Sequence, residues 1–349
     1  MNKFNKGEWS EIYAKLKILC EPKVSIGDEN LNPTKEYLKI LKVFFTSTFG
    51  NCWYKTNTNG RVEIQIDRPI FVKISNDDIS QIFQQIQNSK GPSFAIAKAN
   101  DLIKKMHIHK IKTNSHTKGD VRLIFMLSSS NLINDEEFSI KSGMGSDPSL
   151  LNAAKTTNFT YLLKNNISEY QNINSIDSHS KIRDRLQRII SKADIEYSYN
   201  DSFIFENNLR MLDSFLPEIV SRILLKFFLT GQRKISKLVS MIDTKFERIN
   251  LSTAQIEFKI KKLLNAIALG MVPGIEWDGK KIGGGCLFIK RTGELVGYTL
   301  YNEDIFNELL FNLSYLDTAS TSRHNFGSIY KNKNNKQEFK LNFYLRLKI

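Results

Sequence analysis

Residues 119–126 have the sequence Gly119-Asp120-Val121-Arg122-Leu123-Ile124-Phe125-Met126, and residues 136–141 have the sequence Glu136-Glu137-Phe138-Ser139-Ile140-Lys141. Both stretches are typical of β-strands, and the short polar loop at 128–134 between them predicts an antiparallel hairpin. Side chains two apart on a strand face the same way, so Glu137, Ser139 and Lys141 share one face. Asp120 begins the neighbouring strand and is expected to lie near that face.

This hairpin is expected to bring one carboxylate and one ammonium group together. The pair suits metal-assisted cleavage of a phosphodiester: Asp120 holds Mg²⁺, which polarises the phosphate and acidifies a bound water, and Lys141 orients or deprotonates that water. The backbone carbonyl of Ile140 is a further candidate ligand. The alternative is an ordinary hairpin that carries surface charges, and spacing alone leaves both interpretations open.

Hydrophobic periodicity predicts alternating helices and strands around the hairpin. Helices are expected at 7–20, 35–45, 75–88, 94–105 and 148–163, followed by a mostly helical segment at 166–270. β structure is expected within 50–75, in a second hairpin over 286–301, and in a final strand at 339–347, with a helix at 303–313.

Length and charge limit the possible partners. The chain has 349 residues, which predicts two domains or one large domain. Lys and Arg total 50 against 36 acidic residues, and the net charge of +14 favours a polyanion, either nucleic acid or an anionic membrane face. The excess is concentrated in the segments 98–122 and 317–349, each with seven Lys or Arg against two acidic residues.

Membrane insertion and secretion are not expected. The most apolar stretch, Leu209 to Leu229, carries five charged residues and has helical amphipathic spacing, whereas a membrane-spanning helix needs about 20 nearly uncharged residues. The first residues lack the apolar run of a signal peptide. Three scattered cysteines indicate reduced thiols. A cytoplasmic location is therefore predicted.

Two further groups of polar residues are candidates for function. Glu8, Glu11 and Lys15 lie three and four residues apart on one face of the predicted first helix, and they matter for chemistry only if that helix packs beside the hairpin. A solvated polar face is the alternative. The segment Ser322-Arg323-His324 is either a loop that contacts phosphates or a guanine edge, or a solvated loop.

Several blocks of the chain strongly resemble HpaII-type restriction endonucleases. They are Gly7-Glu8-Trp9-Ser10-Glu11-Ile12-Tyr13, Phe138-Ser139-Ile140-Lys141-Ser142 with Gly145, Ser149-Leu150-Leu151-Asn152-Ala153, Thr157-Asn158-Phe159, Tyr301-Asn302, Ser320-Thr321-Ser322-Arg323-His324-Asn325-Phe326-Gly327 and Leu341-Asn342. Because the blocks lie at both ends and in the middle, the resemblance spans nearly the entire chain.

The resemblance implies an α/β (α+β) fold with a PD-(D/E)xK restriction-endonuclease-like core, a mixed central sheet flanked by helices. It implies Mg²⁺-dependent hydrolysis of both DNA strands at a short palindrome, CCGG in similar enzymes. The expected organisation is a nuclease core at 1–165, a mostly helical region at 166–270, and a region at 271–349 with a hairpin, a helix and a basic DNA-contacting tail. This last region is expected either to be separate or to complete the same domain.

Within this family pattern, Asp120 takes the first acidic position and Lys141 the lysine position. Ser139 stands where the second acid is usual, so one metal-ligating carboxylate has to come from elsewhere. Glu11 is the first candidate for it, Glu8 the second and Glu137 the third. Gly119 replaces the usual proline, which is expected to matter little.

The resemblance also implies double-stranded DNA as partner and a homodimer on it, because a palindrome matches a two-fold protein. Base and phosphate contacts are expected from a set of polar residues, namely Ser142, Asn152, Ser322, Arg323, His324 and Asn325. A cognate methyltransferase is expected as a genetic partner. Two alternatives stay open: a repair or junction nuclease of the same fold, and a catalytically silent DNA-binding protein, which Ser139 would favour.

Overall fold

The computed structural model describes residues 2–57, 59–110, 119–246 and 249–349. Part of the predicted basic segment 98–122 therefore lies outside the described residues. The helices, in chain order, are α1 (Lys6–Cys20), α2 (Asn76–Asn88), α3 (Ala97–Lys105), α4 (Tyr170–Asn174), α5 (Lys181–Ile190), α6 (Phe203–Leu212), α7 (Leu216–Thr230), α8 (Ile235–Val239), α9 (Thr253–Leu269), α10 (Glu303–Leu313) and α11 (Thr321–His324).

Short 3₁₀ turns occur at Lys155–Thr157 and Leu300–Asn302. The strands, in chain order, are β1 (Lys23–Gly27), β2 (Pro33–Ser47), β3 (Gly50–Lys55), β4 (Arg61–Ile64), β5 (Ile70–Lys73), β6 (Ile108–Lys110), β7 (Val121–Leu127), β8 (Ile133–Ser142), β9 (Ser149–Leu151), β10 (Asn158–Leu163), β11 (Ile195–Asn200), β12 (Lys245–Phe246), β13 (Ile249–Asn250), β14 (Gly285–Ile289), β15 (Leu295–Tyr298), β16 (Ser314–Leu316), β17 (Ile329–Lys331), β18 (Gln337–Asn342) and β19 (Leu345–Leu347).

A large mixed sheet organises the fold. Its strand order is β1-β15-β14-β8-β7-β2-β3-β4-β5, and β6 pairs with β2. The pairs β8–β14 and β1–β15 are parallel, and β7–β8 is antiparallel. Because β1 also pairs with β2, six of the strands close into a ring. The expected mixed central sheet flanked by helices is thus observed.

Helices α1, α2 and α3 supply one hydrophobic core together with this sheet. Trp9, Ile12 and Leu16 of α1 are buried, and the indole Nε1 of Trp9 donates a hydrogen bond to the carbonyl of Phe94. A capping box between Asn5 and Glu8 satisfies the first amide groups of α1, which fixes where the helix begins. The predicted helix at 7–20 is therefore confirmed and packs beside the hairpin strand β8.

A second core lies among the later helices and two smaller sheets. These sheets have the orders β11-β10-β18-β17 and β16-β19-β9. Helices α7 and α9 contribute many of its buried side chains, including Ile219, Leu224 and Leu264. Cys286 and Phe288 of β14 also belong to this core, whereas Leu287 and Ile289 of the same strand belong to the first core. Strand β14 is therefore covered on both faces.

Two helix predictions are wrong. Residues 35–45 lie in β2, where Leu38, Ile40, Val43 and Phe45 face the core, and an irregularity in the pairing with β7 after Ile40 shifts the alternation by one residue. This bulge made the apolar spacing imitate a helix. Residues 148–163 form β9, a 3₁₀ turn and β10, because β10 pairs with β11 and β18 on its two sides.

The remaining patterns are mostly confirmed. The hairpins at 121–142 and 285–298 and the helices near 75–88, 94–105 and 303–313 are observed, and the segment 166–270 is mostly helical. The predicted last strand is divided into β18 and β19. Among the described residues, no helix is both long and apolar enough to cross a membrane. The proposed division into three regions stays a prediction.

Candidate active site

The β7–β8 hairpin places Asp120 beside the middle of β8. Val121 pairs with Phe138, and both side chains are buried in the first core, so this apolar pair fixes the register at the start of the ladder. The amide of Asp120 donates to the carbonyl of Phe138 at 2.8 Å. Asp120 directly precedes β7, and this hydrogen bond extends the β7–β8 ladder to Asp120.

The Asp120 carboxylate is attached to β8 by one of its two oxygens. Its Oδ2 accepts hydrogen bonds from the Ile140 amide at 2.6 Å and from the Ser139 hydroxyl at 3.2 Å. Ser139 is completely buried and thus acts as a donor that holds Asp120, where an acid would have repelled it.

Glu11 of α1 lies in the electrostatic environment of this carboxylate. Burial and the charges of Asp120 and Glu8 raise the pKa of Glu11 to about 7, while Lys15 and Lys141 act in the opposite direction. A carboxyl group whose pKa is shifted this far by burial and by a neighbouring acid is typical of functional sites. The charges of Asp120 and Lys141 thus both act on Glu11 in the structure, and the role of the three residues in one active site stays a prediction.

Lys15 is a member of this site that the sequence analysis left without a role. Only 6% of the residue is exposed, and burial lowers the pKa of its ammonium group, while the charges of Glu11 and Asp120 act to raise it. Lys15 follows Glu11 by four residues, so the two side chains are neighbours on the helix. That spacing was visible in the sequence, but burial of the lysine was not.

The other two candidate carboxylates lie in different surroundings. Glu8 accepts a hydrogen bond from the Asn5 amide at 3.0 Å in the capping box, so the helix end already uses its carboxylate. Glu137 is exposed, stands opposite Arg122 in the ladder, and places its carboxylate against Gly119. The carboxylate of Glu8 thus lies at the helix cap, and that of Glu137 lies beside Gly119.

Oxygen ligands are available here for a divalent cation. Carboxylates and backbone carbonyls are the ligands that Mg²⁺ prefers, and Asp120, Glu11 and the Ile140 carbonyl supply both kinds. The mutual repulsion of Glu11 and Asp120 would be relieved by a cation between them. In the described ranges, no cluster of three or more His, Cys, Asp or Glu side chains is arranged to hold a metal. Asp120, Glu11 and the Ile140 carbonyl stay the predicted ligands.

The predicted DNA-contacting residues lie in two places. Ser142 ends β8, and its hydroxyl accepts a hydrogen bond from the Met144 amide at 3.1 Å. Asn152 is exposed just after β9. Ser322 and Arg323 are exposed on α11, which ends at Asn325 in a left-handed conformation with φ of 55°.

The structure brings the segment after Asn152 to the α11 loop. The side-chain amide of Asn158 donates to the His324 carbonyl at 2.9 Å. Partial burial and the charges of Arg323 and Lys155 lower the pKa of His324, which favours the neutral imidazole. Lys155 is thus a basic neighbour of the loop that the sequence analysis did not select.

Comparison with known proteins places this chain in a family. The family model described as HpaII restriction endonuclease matches residues 5–347. The chain is also 31% identical over 337 residues to the type II restriction enzyme HpaII of Haemophilus parainfluenzae, with 94% of each chain covered. This chain belongs to the HpaII restriction endonuclease family.

As a member of the HpaII family, the protein is a type II site-specific deoxyribonuclease that acts on double-stranded DNA. The resemblance seen in the sequence is therefore confirmed. A comparison with solved structures finds no match. The mixed α/β architecture is observed, and the assignment to the PD-(D/E)xK fold stays a prediction.

Proposed function

We propose that this enzyme hydrolyses both strands of DNA at a short palindrome, CCGG, in a Mg²⁺-dependent reaction at Asp120 and Lys141. The observation that carries the proposal is the attachment of the Asp120 carboxylate to the Ser139-Ile140-Lys141 strand, with Glu11 of α1 in the same electrostatic environment. One acid, one lysine and one helix acid are the groups that metal-assisted hydrolysis needs.

Asp120, Glu11 and the carbonyl of Ile140 would hold the cation. The cation would polarise the phosphate and acidify a bound water. Lys141 orients the attacking water or accepts its proton. Ser139 keeps Asp120 in place through its hydroxyl hydrogen bond. The positive charge of Lys15 partly offsets the negative charges of Glu11 and Asp120 in the metal-free site.

Glu11 is the best source of the missing second carboxylate. Its burial and its interaction with Asp120 support it, whereas Glu8 is engaged in the helix cap and Glu137 is exposed beside Gly119. A cation would stabilise the ionised form of a buried carboxyl group near Asp120, because its charge would offset the desolvation and the repulsion. An exposed one gains less.

Base recognition is assigned to the α11 loop and the segment after β9. Arg323, His324, Asn325 and Ser322 offer donors and acceptors for a groove edge, and Asn152 lies on the neighbouring segment. Ser142 would contact DNA near the catalytic strand. The palindrome favours a homodimer on DNA in the cytoplasm, with a methyltransferase of the same specificity protecting the host's own sites.

The proposal is tested by digesting unmethylated genomic DNA with the purified enzyme and Mg²⁺ and sequencing the fragment ends. CCGG at the ends is the expected result. Ends that share another palindrome would contradict the specificity, and ends without a common sequence would favour a repair or junction nuclease.

The catalytic assignment is tested with Asp120→Ala and Lys141→Ala. Both variants should lose cleavage by at least about a thousandfold yet still bind the same DNA with Ca²⁺ in place of Mg²⁺. Asp101→Ala and Lys192→Ala are matched controls, because both side chains are exposed and form only surface ion pairs. Normal cleavage by Lys141→Ala would end the assignment, and a silent wild type would favour a DNA-binding protein.

A further inference from the structure

We infer that a cavity between α5, the end of α7 and the loop at 317–322 binds a backbone phosphate of the DNA, away from the scissile bond. The cavity has a volume of about 580 Å³. Ile182, Phe227 and Phe228 supply its apolar surface, and hydroxyl and cationic side chains supply the rest. The inference rests on the proposed function and adds a second anchoring point to it.

The charge of the lining is positive. Lys181, Arg183 and Arg233 line the cavity together with one acidic residue, Asp317, and Lys181 also forms an ion pair with Asp177 at 2.9 Å. The Asp317 carboxylate is already engaged twice, by Arg233 at 2.7 Å and by Arg346 at 2.9 Å. An anion entering the cavity therefore meets cations whose field is only partly cancelled.

Arg183 has an unsatisfied donor in the wall of this cavity. Its Nε is buried and has no hydrogen-bond partner among the described residues, and its guanidinium lies over Gly231. Gly231 ends α7 with φ of 74°, and any side chain there would overlap the guanidinium. Buried polar groups in native proteins are nearly always satisfied, so the orphaned Nε leaves this guanidinium with unused donor capacity beside the cavity.

Hydroxyl groups complete a set of donors suited to phosphate. Ser180, Thr318, Ser320, Thr321 and Ser322 all line the cavity. Guanidinium, ammonium and hydroxyl groups are the side chains that proteins commonly use to contact DNA phosphates. The cationic side chains can only donate, and each hydroxyl can donate as well as accept, so an anion can be contacted by both kinds of group.

The walls of the cavity are held in place by contacts behind it. Arg185 of α5 donates to the carbonyl of Gly327 at 2.6 Å and to the Ser328 hydroxyl at 2.8 Å, which fixes α5 against the chain just after the α11 loop. Arg346, which holds Asp317, also donates to the carbonyl of Asp147 at 3.0 Å. Asp147 follows the glycine turn that leaves the catalytic strand, so one network joins both regions.

A phosphate in this cavity would position the α11 loop for base recognition. The Ser320 hydroxyl accepts a hydrogen bond from the Arg323 amide, so the residue that lines the cavity also caps the helix that carries Arg323. Phosphate contacts set the register of a protein on DNA, and base contacts then give specificity. The cavity thus supplies positioning without sequence preference.

The test measures DNA affinity against salt concentration with Ca²⁺ in place of Mg²⁺, for the wild type, Lys181→Gln and Arg183→Gln. Each variant should weaken binding equally for CCGG and unrelated duplexes, and should reduce the slope of log affinity against log salt by about one. Arg188→Gln is the matched control, because Arg188 is exposed farther along α5. Its slope should equal that of the wild type.

Slopes for both cavity variants equal to that of Arg188→Gln would overturn the inference. If Arg183→Gln fails to fold, Lys181→Gln decides the matter, because 35% of that side chain is exposed. Thermal unfolding with inorganic phosphate separates the sources: a wild-type stabilisation that Arg183→Gln abolishes, together with unchanged DNA slopes, would also overturn DNA as the ligand. Failure of the proposed function would instead appear as wrong or absent fragment ends from the wild type.

Discussion

The acid at position 11 shows how strongly surroundings alter one side chain. A glutamate on a first helix is usually solvated, and the sequence left that alternative open for Glu11. In the structure it is largely buried beside Asp120, and its pKa rises to about 7. The raised pKa favours the protonated form of Glu11 in metal-free protein, so Glu11 and Asp120 repel each other less than two full charges would.

Glu11→Gln should change the pH dependence of stability. An ionised Glu11 destabilises the fold, because its pKa is about 7 when folded and near its ordinary value of 4.5 when unfolded. In EDTA, the free energy of unfolding of the variant should equal that of the wild type below pH 4.5. It should exceed that of the wild type increasingly as the pH rises to about 7, by on the order of 3 kcal/mol at most.

Urea unfolding at several pH values measures this difference, and Glu294→Gln is the control, because that carboxylate lies in a surface ion pair with Lys290. A constant difference between wild type and Glu11→Gln from pH 4 to pH 8 would contradict the assigned pKa.

Lys15→Met should make Glu11 harder to ionise. The ammonium group of Lys15 lowers the pKa of Glu11, and methionine keeps the length of the side chain while removing the charge. The pH at which cleavage reaches half its maximum should move upwards by at least half a unit, with little loss at high pH. Lys17→Met is the matched control, because Lys17 lies on the same helix as Lys15 but donates a hydrogen bond to the Gly293 carbonyl. A profile shifted equally in both variants would refute this role.

Strand β14 is the element that pairs with β8 on the side opposite to β7. It pairs in parallel with β8, and Phe288 stands opposite Lys141 and Cys286 opposite Ser139. All five residues of β14 are buried, because the first core covers one face and the second core the other. The position of Ser139 and Lys141 thus depends on a strand that is distant in sequence by more than a hundred residues.

Phe288→Ala should destabilise the fold by about 3–5 kcal/mol, since it removes a fully buried aromatic side chain that contacts Tyr298 and Phe306. Urea unfolding measures the loss, and cleavage should fail at a lower temperature than in the wild type. Phe71→Ala is the control, because 52% of Phe71 is exposed, and its effect should stay below about 1 kcal/mol. Equal effects of the two substitutions would show that β14 is not a core strand.

The complete chain combines two cores, one large sheet and a net charge of +14. The basic surplus suits a polyanion, and membership of a restriction endonuclease family identifies that polyanion as DNA. The charge explains general attraction, whereas the cavity at α5 and the α11 loop are proposed to convert that attraction into a defined orientation.

Two copies of the chain should bind one palindromic duplex. A symmetrical site presents the same bases to each copy, and one active site per chain then serves one strand. Analytical ultracentrifugation of the enzyme with a CCGG duplex and Ca²⁺ should give two chains per duplex, while a duplex without the site serves as the control. One chain per CCGG duplex at saturation would contradict the homodimer.

Local patterns in the sequence were sufficient for the hairpin, for α1 and for the pairing of Asp120 with the strand of Lys141. Each depends on neighbours within a few residues or on one short loop, so alternation and helical spacing record them directly. The helices predicted at 35–45 and 148–163 failed for the opposite reason, because a bulge in β2 and the distant partners of β10 decide those conformations.

The residues themselves indicated the family to which the chain belongs and its basic charge, and they predicted a catalytic set of an aspartate, a lysine and a helix glutamate. What required the folded chain was the environment of those groups. Burial of Lys15 and Glu11, the two-sided cover of β14 and the cavity beside Arg183 arise where segments far apart in sequence meet. Desolvation and long-range electrostatics depend on such meetings, and no local pattern encodes them.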